Sequence, residues 1–450
     1  MKAVHCLPRR AGIALLALAL LLLNACMAEE TVLLPTEAAT EAASPAATAA
    51  PEPTPTAPLA PVDVDFSTCT EPLEKKPYMP FSLHPHRILR RALTGFPATA
   101  QVERACALRD LGGVILVGTD ETGRQFLAGL STETWTCEVF YTLEEGMRVT
   151  SLGQAASSGR YNESGAFAWT ETDGDAWRLR LYDERLQEGE SAELLAETTL
   201  ASGALSQGSA FLPQLCSLTT YWDTTVYAVY DSPEGAVRLE LGSGETFALS
   251  GFTPFCCENA PIWSPAYDTA FAIVQQDGQL VLRVWKEDKE AEEMYEAATF
   301  TLRLPDGEMP TKLLSTYWGY ADTDDYSFCL LTDAGNLYWY DWEKNAYDPP
   351  QEETLLVARD VVAAEPCSHT EAWFLSPECD NLLKFYDSEE RVTAFRLSEK
   401  PVELTAVTSA YTDERLSEPH EVFVFGTEEG VPVVFVLEQW DTIRDYWGGE

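Results

Sequence analysis

Aromatic and acidic residues stand side by side in two short segments of the sequence. In "STYWGYADTDDY", residues 315–326, aromatic residues precede a group of aspartates, and "LTTYWDTT", residues 218–225, repeats the arrangement on a smaller scale. Aromatic rings stack on sugars and carboxylates bind Ca²⁺, so both segments are candidate binding sites. The candidate residues are Tyr317, Trp318, Tyr320, Asp322, Asp324 and Asp325, together with Tyr221, Trp222 and Asp223.

The metal interpretation of these segments has little support. "DTDD", residues 322–325, lacks the ordered ligand spacing of an EF-hand loop, so we predict no cofactor and leave Ca²⁺ as an open alternative. The aromatic residues also fit a second interpretation, packing between repeated structural units, because the two segments precede similar hairpins.

Acidic residues also recur in seven short turns. The turns are 119–124, 172–176, 231–235, 276–279, 333–336, 378–381 and 427–430. If the turns are equivalent, their carboxylates form a ring that would attract cations or a basic segment of a partner. Aspartate also favours turns because its side chain bonds to the local backbone, which is the structural alternative. The predicted ring comprises Asp120, Asp173, Asp175, Asp231, Asp277, Asp333, Asp380 and Glu428.

Each turn joins two short runs of β-forming residues, as in "LTDAGNLYWYDWE", residues 331–343. Small and polar turn residues between such runs are typical of β-hairpins. Successive turns lie roughly 50 residues apart, and most hairpins have a further apolar run before or after them. The repeat therefore predicts units of about four short antiparallel strands.

The ends of three runs carry an aromatic-Asp pattern: "LYD" (181–183), "YWYD" (338–341) and "FYD" (385–387). This pattern resembles the repeats of WD40 and quinoprotein β-propellers, without matching a specific family. The resemblance and the repeat predict an all-β fold, a β-propeller with seven blades of four antiparallel strands, six or eight blades being alternatives. Two stacked β-sandwiches or an irregular all-β fold are the other possibilities.

Two local predictions complete the fold. Few residues follow the last hairpin, so we expect segment 63–100 to supply the missing outer strand of the last blade. Segment 287–298, "EDKEAEEMYEAA", is rich in helix-forming residues and is predicted to be a short exposed helix.

The N-terminus has the features of an export signal. A basic start precedes the apolar run 13–23, and "LNAC", residues 23–26, resembles the lipobox of bacterial lipoproteins. This resemblance implies lipidation of Cys26; an ordinary secretory signal is the alternative. We therefore predict a signal peptide over 1–25, a lipidated disordered tether rich in Ala, Thr, Pro and Glu over 26–62, and one propeller domain over 63–450.

Charge restricts the partners. The chain has 30 Lys and Arg against 72 Asp and Glu, a formal net charge of −42. Such an anion repels nucleic acid and anionic lipid, so we expect no nucleic-acid binding and membrane attachment through the lipid anchor alone. We expect a monomer that binds a protein or a cell-envelope ligand.

Cysteine and histidine add little chemistry. Nine cysteines remain beyond Cys6 and Cys26, an odd number, and Cys367 and Cys379 are spaced so that a pair is possible. Cys329 is expected to be a buried thiol. His84 and His86 in "LHPHR" can chelate a metal or lie in an exposed loop.

The sequence lacks the motifs G-x-S-x-G, H-E-x-x-H, G-x-x-x-x-G-K and G-x-G-x-x-G. We therefore interpret the protein as an extracytoplasmic, membrane-anchored binding or scaffold module. The alternative is a carbohydrate-active propeller that binds glycans or hydrolyses glycosides, since hydrolysis requires only two suitably spaced carboxylates.

Overall fold

The apolar runs beside the acidic turns form antiparallel strands in the computed structural model. These runs are almost continuously apolar because both faces of the sheets are buried. In Phe167–Thr172, for example, Phe167 and Trp169 pack against the preceding sheet and Ala168 packs against the following one. The structure describes residues 61–77, 86–108, 113–154, 167–182, 199–204, 213–219, 224–232, 235–241, 244–249, 253–254, 258–259, 269–288, 293–318, 326–343, 351–367, 371–377, 381–386, 390–410 and 421–439.

The chain divides into two units, Met1–Thr56 and Ala57–Glu450, and all described residues belong to the second. Three short strands open the described part: β1 (Val62–Asp65), β2 (Lys75–Pro77) and β3 (His86–Ala92). A 3-10 turn, Phe66–Thr68, follows β1.

The first three blades each contain four consecutive antiparallel strands. Blade 1 is β4 (Gln101–Leu108), β5 (Gly113–Thr119), β6 (Gln125–Ser131) and β7 (Thr136–Thr142). Blade 2 is β8 (Arg148–Gln154), β9 (Phe167–Thr172), β10 (Ala176–Tyr182) and β11 (Thr199–Ala204). Blade 3 is β12 (Gln214–Thr219), β13 (Thr224–Ser232), β14 (Gly235–Glu240) and β15 (Thr246–Ala248).

Blade 4 has a short first strand that is divided into β16 (Thr253–Pro254) and β17 (Glu258–Asn259). The other strands of this blade are β18 (Thr269–Gln276), β19 (Gln279–Asp288) and β20 (Glu293–Arg303). Strand β16 pairs with β18, whereas β17 pairs in parallel with the first strand of the next blade.

The last three blades repeat the four-strand pattern. Blade 5 is β21 (Pro310–Trp318), β22 (Tyr326–Thr332), β23 (Leu337–Glu343) and β24 (Gln351–Ala358). Blade 6 is β25 (Ala363–Pro366), β26 (Ala372–Leu375), β27 (Asn381–Tyr386) and β28 (Arg391–Arg396). Blade 7 is β29 (Val402–Ala410), β30 (Glu421–Glu428) and β31 (Val431–Gln439), with β3 as its fourth strand.

The first strands of the blades form a closed ring. Each contacts the first strand of the next blade, and the last contacts the first, in the order β4, β8, β12, β17, β21, β25, β29 and back to β4. Seven hydrophobic clusters fill the seven interfaces between neighbouring blades. The chain is therefore a seven-bladed β-propeller, which confirms the predicted fold and blade number.

All seven predicted turns connect the second strand of a blade to the third. Because the blades are equivalent, these turns lie on one side of the disc, with the connections that lead from one blade to the next; we call this side the turn face. Two of the turns are two-residue loops, Asp277–Gly278 and Glu429–Gly430, with positive φ at both residues. Glycine at the second position fits this geometry because it has no Cβ to clash.

The N-terminal strands run around the outside of the disc. Strand β1 pairs in parallel with β20 of blade 4, Pro72 bridges to Leu356 of blade 5, and β2 pairs in parallel with β28 of blade 6. Strand β3 then pairs with β31 and completes blade 7. We call residues 61–92 the belt. The predicted contribution of segment 63–100 to the last blade is confirmed.

Phe66 fixes the belt between two blades. Asp65 caps the 3-10 turn by accepting a hydrogen bond from the Ser67 amide at 3.0 Å, and Phe66 is fully buried. Its ring lies 5.0 Å from that of Tyr338 and 6.2 Å from that of Phe328, in the cluster between blades 4 and 5.

The predicted helix over 287–298 is wrong. Strands β19 and β20 cover its described residues and pair from Leu280 with Leu302 to Asp288 with Glu293. Helix propensity is a weak preference, and the backbone ladder of a long hairpin overrides it here. Across the described residues, no helix is long and apolar enough to cross a membrane.

Cys69 and Cys137 carry free thiols, and Cys106, Cys137, Cys329 and Cys367 are buried. Cys329 is fully buried, as predicted, and burial raises the pKa of the Cys137 thiol to about 11. Cys379 lies outside the described residues, so its pairing with Cys367 stays a prediction.

Candidate functional site

The innermost strands enclose a cavity of about 310 Å³. Its wall comes from the beginnings of β4, β8, β21, β25 and β29, and from Leu331. These strands start at the turn face, so the cavity forms that end of the central channel. Its charged lining residues are Glu103, Arg104, Lys312 and Glu365.

β-Bulges place three of these charged residues, Glu103, Arg104 and Lys312, in the channel. The register of β4 shifts between Val102 and Arg104, and that of β21 shifts between Pro310 and Lys312. In a regular strand, neighbouring side chains point to opposite faces, but a bulge redirects one of them. As a result Glu103 and Arg104, which are adjacent in sequence, both line the cavity, and so do Thr311 and Lys312.

The bulge is a repeated feature with its own hydrogen bond. In three blades the bulged residue is a threonine whose hydroxyl donates to a carbonyl oxygen of the second strand twenty residues later. Thr150 donates to Thr170 at 3.3 Å, Thr311 to Leu331 at 3.2 Å and Thr405 to Phe425 at 3.4 Å. In blade 1 the corresponding residue is Glu103.

Lys312 and Glu365 form an ion pair within the channel. The Lys312 Nζ lies 2.6 Å from Glu365 Oε1, and the side chains are only 13% and 16% exposed. The pair joins the innermost strands of blades 5 and 6. Removing two charges from bulk water is costly, so a pair retained at the centre of a propeller marks a candidate site.

Glu103 is held by the wall of the channel. One carboxylate oxygen accepts from the Thr119 hydroxyl and the other from the Gln125 amide nitrogen. The Gln125 side-chain oxygen accepts from the Val149 amide at 2.6 Å, which extends this chain of hydrogen bonds into blade 2. The carboxylate of Glu103 is thus committed to interactions within the protein.

Arg104 and Lys312 lie on opposite sides of the channel. Arg104 is on β4 of blade 1 and Lys312 is on β21 of blade 5, three positions apart in a ring of seven. Both line the same cavity, and Arg104 is half-buried.

Three exposed apolar side chains lie on the turn face. Met309, Val362 and Val431 are 44%, 51% and 50% exposed; Met309 and Val362 lie in the connections that lead into blades 5 and 6, and Val431 is the first residue of β31 in blade 7. Val362 also lines the cavity. The other large apolar side chains exposed in the described part of the chain are Val139, Phe247 and Tyr295, which lie on outermost strands.

Each of these three apolar residues has an exposed acidic residue within three positions: Asp306, Asp360 and Glu429, respectively. Glu429 accepts from Lys400 at 3.0 Å in an exposed ion pair. The turn face over blades 5 to 7 therefore presents apolar and anionic groups next to one another.

The predicted acidic turns do lie on this face, but several of their carboxylates stabilise the turns themselves. Asp120 accepts from the Thr122 hydroxyl at 2.6 Å and from two backbone amides, and these bonds lower its pKa. Asp173 accepts from the amides of Ala176 and Asp175 at 2.8 and 2.9 Å, which also lowers its pKa. The geometry is that of aspartate in its structural role in turns.

Two further acids of the predicted ring bind other parts of the chain. Asp333 accepts from the Met309 amide at 2.9 Å and thereby fixes a connection between blades. Glu428 is buried, accepts from Arg90 of the belt at 2.7 Å and from Ser398 at 3.1 Å, and has a lowered pKa, chiefly because of the bond from Arg90.

The remaining acids of the predicted ring are described in three cases out of four. Asp175 and Asp277 are exposed and Asp231 is partly exposed, whereas Asp380 lies outside the described residues. A ligand-binding role for the ring stays a prediction.

The structure does not bring the aromatic candidates together. Tyr317 and Trp318 end β21, where their backbones pair with Ser327 and Tyr326, and their side chains are not described. The other candidates, like Cys26 and His84, lie outside the described residues: Tyr320, Asp322, Asp324, Asp325, Tyr221, Trp222 and Asp223. Within the described ranges, no group of three or more His, Cys, Asp or Glu side chains is placed to hold a metal ion.

Sequence reasoning missed the channel cavity. Arg104, Lys312 and Glu365 occur in ordinary strand sequences, and no motif marks them. One sequence feature could have indicated these channel residues. It is a charged residue that follows Thr or Glu near the start of an innermost strand, as in "VER" (102–104) and "PTK" (310–312).

No protein-family model and no curated protein matches the chain. Among solved structures it is similar to virginiamycin B lyase from Staphylococcus aureus, with 10% identity and a TM-score of 0.39 over 78% of this chain and 99% of that one. The WD40 domain of SCAP from fission yeast gives 10% identity and a TM-score of 0.40, over 78% and 98% of the two chains. The lectin BP39L from Burkholderia pseudomallei gives 10% identity and a TM-score of 0.40, over 77% and 97%.

At these identities and TM-scores the similarities carry no argument about activity or ligand. The protein is a seven-bladed β-propeller on the strength of its own sheet topology.

Proposed function

We propose that the protein is a lipid-anchored, extracytoplasmic β-propeller that binds a protein partner through its turn face. The lipobox-like "LNAC" and the tether of residues 26–62 support the anchored location. A rigid disc with loops on one side supports a binding role, because such a scaffold holds recognition loops in fixed positions.

The observation that carries the binding proposal is the surface of the turn face over blades 5 to 7. Met309, Val362 and Val431 expose apolar area there, and an exposed acid accompanies each. Interfaces between proteins combine apolar contacts with polar groups at their margins. The partner that complements this surface is a basic segment with apolar side chains, and the net charge of −42 would accelerate its approach.

The first prediction concerns these apolar residues. A fluorescent peptide of alternating lysine and leucine should bind the full chain, and affinity should fall as salt rises. Replacing Met309, Val362 and Val431 together with serine should weaken binding about tenfold or more, because apolar area buried on binding is lost. Fluorescence anisotropy measures both effects.

Val139→Ser is the matched control, since Val139 is 40% exposed but lies on the outermost strand of blade 1. It should bind the peptide as the unaltered chain does. A matching peptide of glutamate and leucine should not bind. Equal binding by the triple variant and the unaltered chain would show that the partner uses another surface.

The carbohydrate-active alternative depends on the aromatic candidates around residues 221 and 318. Their side chains lie outside what the structure describes, so this alternative stays a prediction.

A further inference from the structure

We propose that the channel-end cavity is a binding site for a small organic anion with a carboxylate at each end, held between Arg104 and Lys312. The site adjoins the apolar surface proposed above and shares Val362 with it, whereas Met309 and Val431 do not line the cavity. The inference goes beyond the binding of a protein partner because it concerns a small molecule inside the channel.

The placement of the two cations is the main argument. Arg104 and Lys312 approach one cavity from blades 1 and 5, on opposite sides of the ring. A bulge in each strand brings its cation into the lumen, although regular alternation would turn one residue of each adjacent pair away. An anion with two charged ends can contact both cations at once.

The two acids of the cavity have different roles. Both carboxylate oxygens of Glu103 accept hydrogen bonds from the wall, from Thr119 and Gln125, so this group is part of the scaffold. Glu365 accepts from Lys312 at 2.6 Å and orients it. A ligand carboxylate would join Glu365 as a second acceptor for the Lys312 ammonium, which has three N–H donors.

Size and surroundings are consistent with a small ligand. The volume of about 310 Å³ is at the lower end of the range of ligand pockets, about 300–1,000 Å³. The side chains between the charged groups are small or apolar, including Ala105, Ala364 and Val407. In such a partly desolvated site, charge-assisted hydrogen bonds are strong.

The second prediction tests this site by calorimetric titration of the full chain. Succinate should give a saturable signal, and inorganic phosphate should bind more weakly because it does not have two separate charged ends. Butanediol and putrescine, which match succinate in length but carry no negative charge, should not bind.

Substitutions identify the residues. Arg104→Gln and Lys312→Gln should each weaken succinate binding about tenfold or more, because each removes a charge-assisted hydrogen bond. Glu365→Gln should tighten it several-fold, because the charge of Glu365 then no longer competes with the ligand carboxylate for Lys312. If the Lys312–Glu365 pair has only a structural role, Lys312→Gln and Glu365→Gln should both lower the melting temperature. Neither variant should then change the affinity for succinate.

Arg148→Gln is the matched control, since Arg148 is an exposed cation at the start of β8 but does not line the cavity. It should leave succinate binding unchanged. The proposal is overturned if succinate does not bind, if phosphate binds as well as succinate, or if Arg148→Gln weakens succinate as much as Arg104→Gln does.

The two proposals can fail independently. The peptide should still bind Arg104→Gln and Lys312→Gln chains, and succinate should still bind a chain in which only Met309 and Val431, which do not line the cavity, are replaced by serine. Failure of the peptide to bind the unaltered chain, with succinate still bound, would refute the proposed partner surface without affecting the anion site.

Discussion

Glu171 is a fully buried carboxylate whose partners come from two blades. It accepts from Arg180 at 2.7 Å, from the Tyr141 hydroxyl at 3.3 Å and from the Trp169 indole at 3.4 Å, and Arg178 lies 3.5 Å away. Burial, followed by the charge of Glu171, raises the pKa of Tyr141 to about 12. The network joins the outermost strand of blade 1 to the central strands of blade 2, so its role is structural.

The third prediction is that Glu171→Gln lowers the free energy of unfolding by about 3–5 kcal/mol, because the buried Arg180 loses its counter-charge. Urea denaturation followed by tryptophan fluorescence measures the change. Glu144→Gln is the control: Glu144 pairs with Arg178 at 2.8 Å but is 64% exposed, so its loss should change the stability little. Equal costs for the two variants would contradict the role of burial.

The Arg90–Glu428 pair makes ring closure sensitive to acid. Because Arg90 lowers the folded-state pKa of Glu428, the pair stabilises the protein above the ordinary carboxyl pKa of about 4.3. This contribution is lost as pH falls through the lower, folded-state value.

The fourth prediction is therefore that Arg90→Gln reduces stability most at neutral pH. The difference from the unaltered chain should shrink as pH falls below about 4, where the carboxylate becomes protonated in both states. Thermal melts over a pH series measure it. Arg87→Gln, on the same strand but 57% exposed, should differ little at any pH; a constant deficit for Arg90→Gln would exclude the linkage.

Among the elements, the belt contacts four consecutive blades, 4 to 7. Its strands cover the outer edges of blades 4 and 6, a single bridge reaches blade 5, and its last strand completes blade 7. Covering the edge strands also satisfies backbone groups that would otherwise pair with other chains.

The fifth prediction is that Phe66→Ala lowers the free energy of unfolding by about 3–5 kcal/mol, since it leaves a cavity between blades 4 and 5. Chemical denaturation measures the loss. Thr70→Ala, an exposed position in the same segment, should be nearly neutral. A small effect of Phe66→Ala would mean that the belt contributes little to the packing of these blades.

Element prediction succeeded where hydrophobic pattern and turn chemistry agreed. The turn at 333–336 lies between β22 and β23, as its flanking apolar runs predict. The pattern failed at 287–298, where local preference favours a helix but pairing with the preceding strand decides the outcome.

For the whole molecule, the belt places the first described residues on the rim of the disc. The described chain begins at Pro61, beside β1 on the outer edge of blade 4.

The sequence by itself determined the all-β class, the repeat and the use of an N-terminal strand to close the ring. Those properties follow from hydrophobic periodicity, turn composition and the number of residues left after the last hairpin, all of which are local. Only the tertiary structure decided that Arg104, Lys312 and Glu365 share one cavity, and that Asp120, Asp173 and Glu428 serve the scaffold. Ring closure and bulges determine which distant side chains meet. The composition of a single strand predicts neither the order of the blades in space nor a one-residue shift in register.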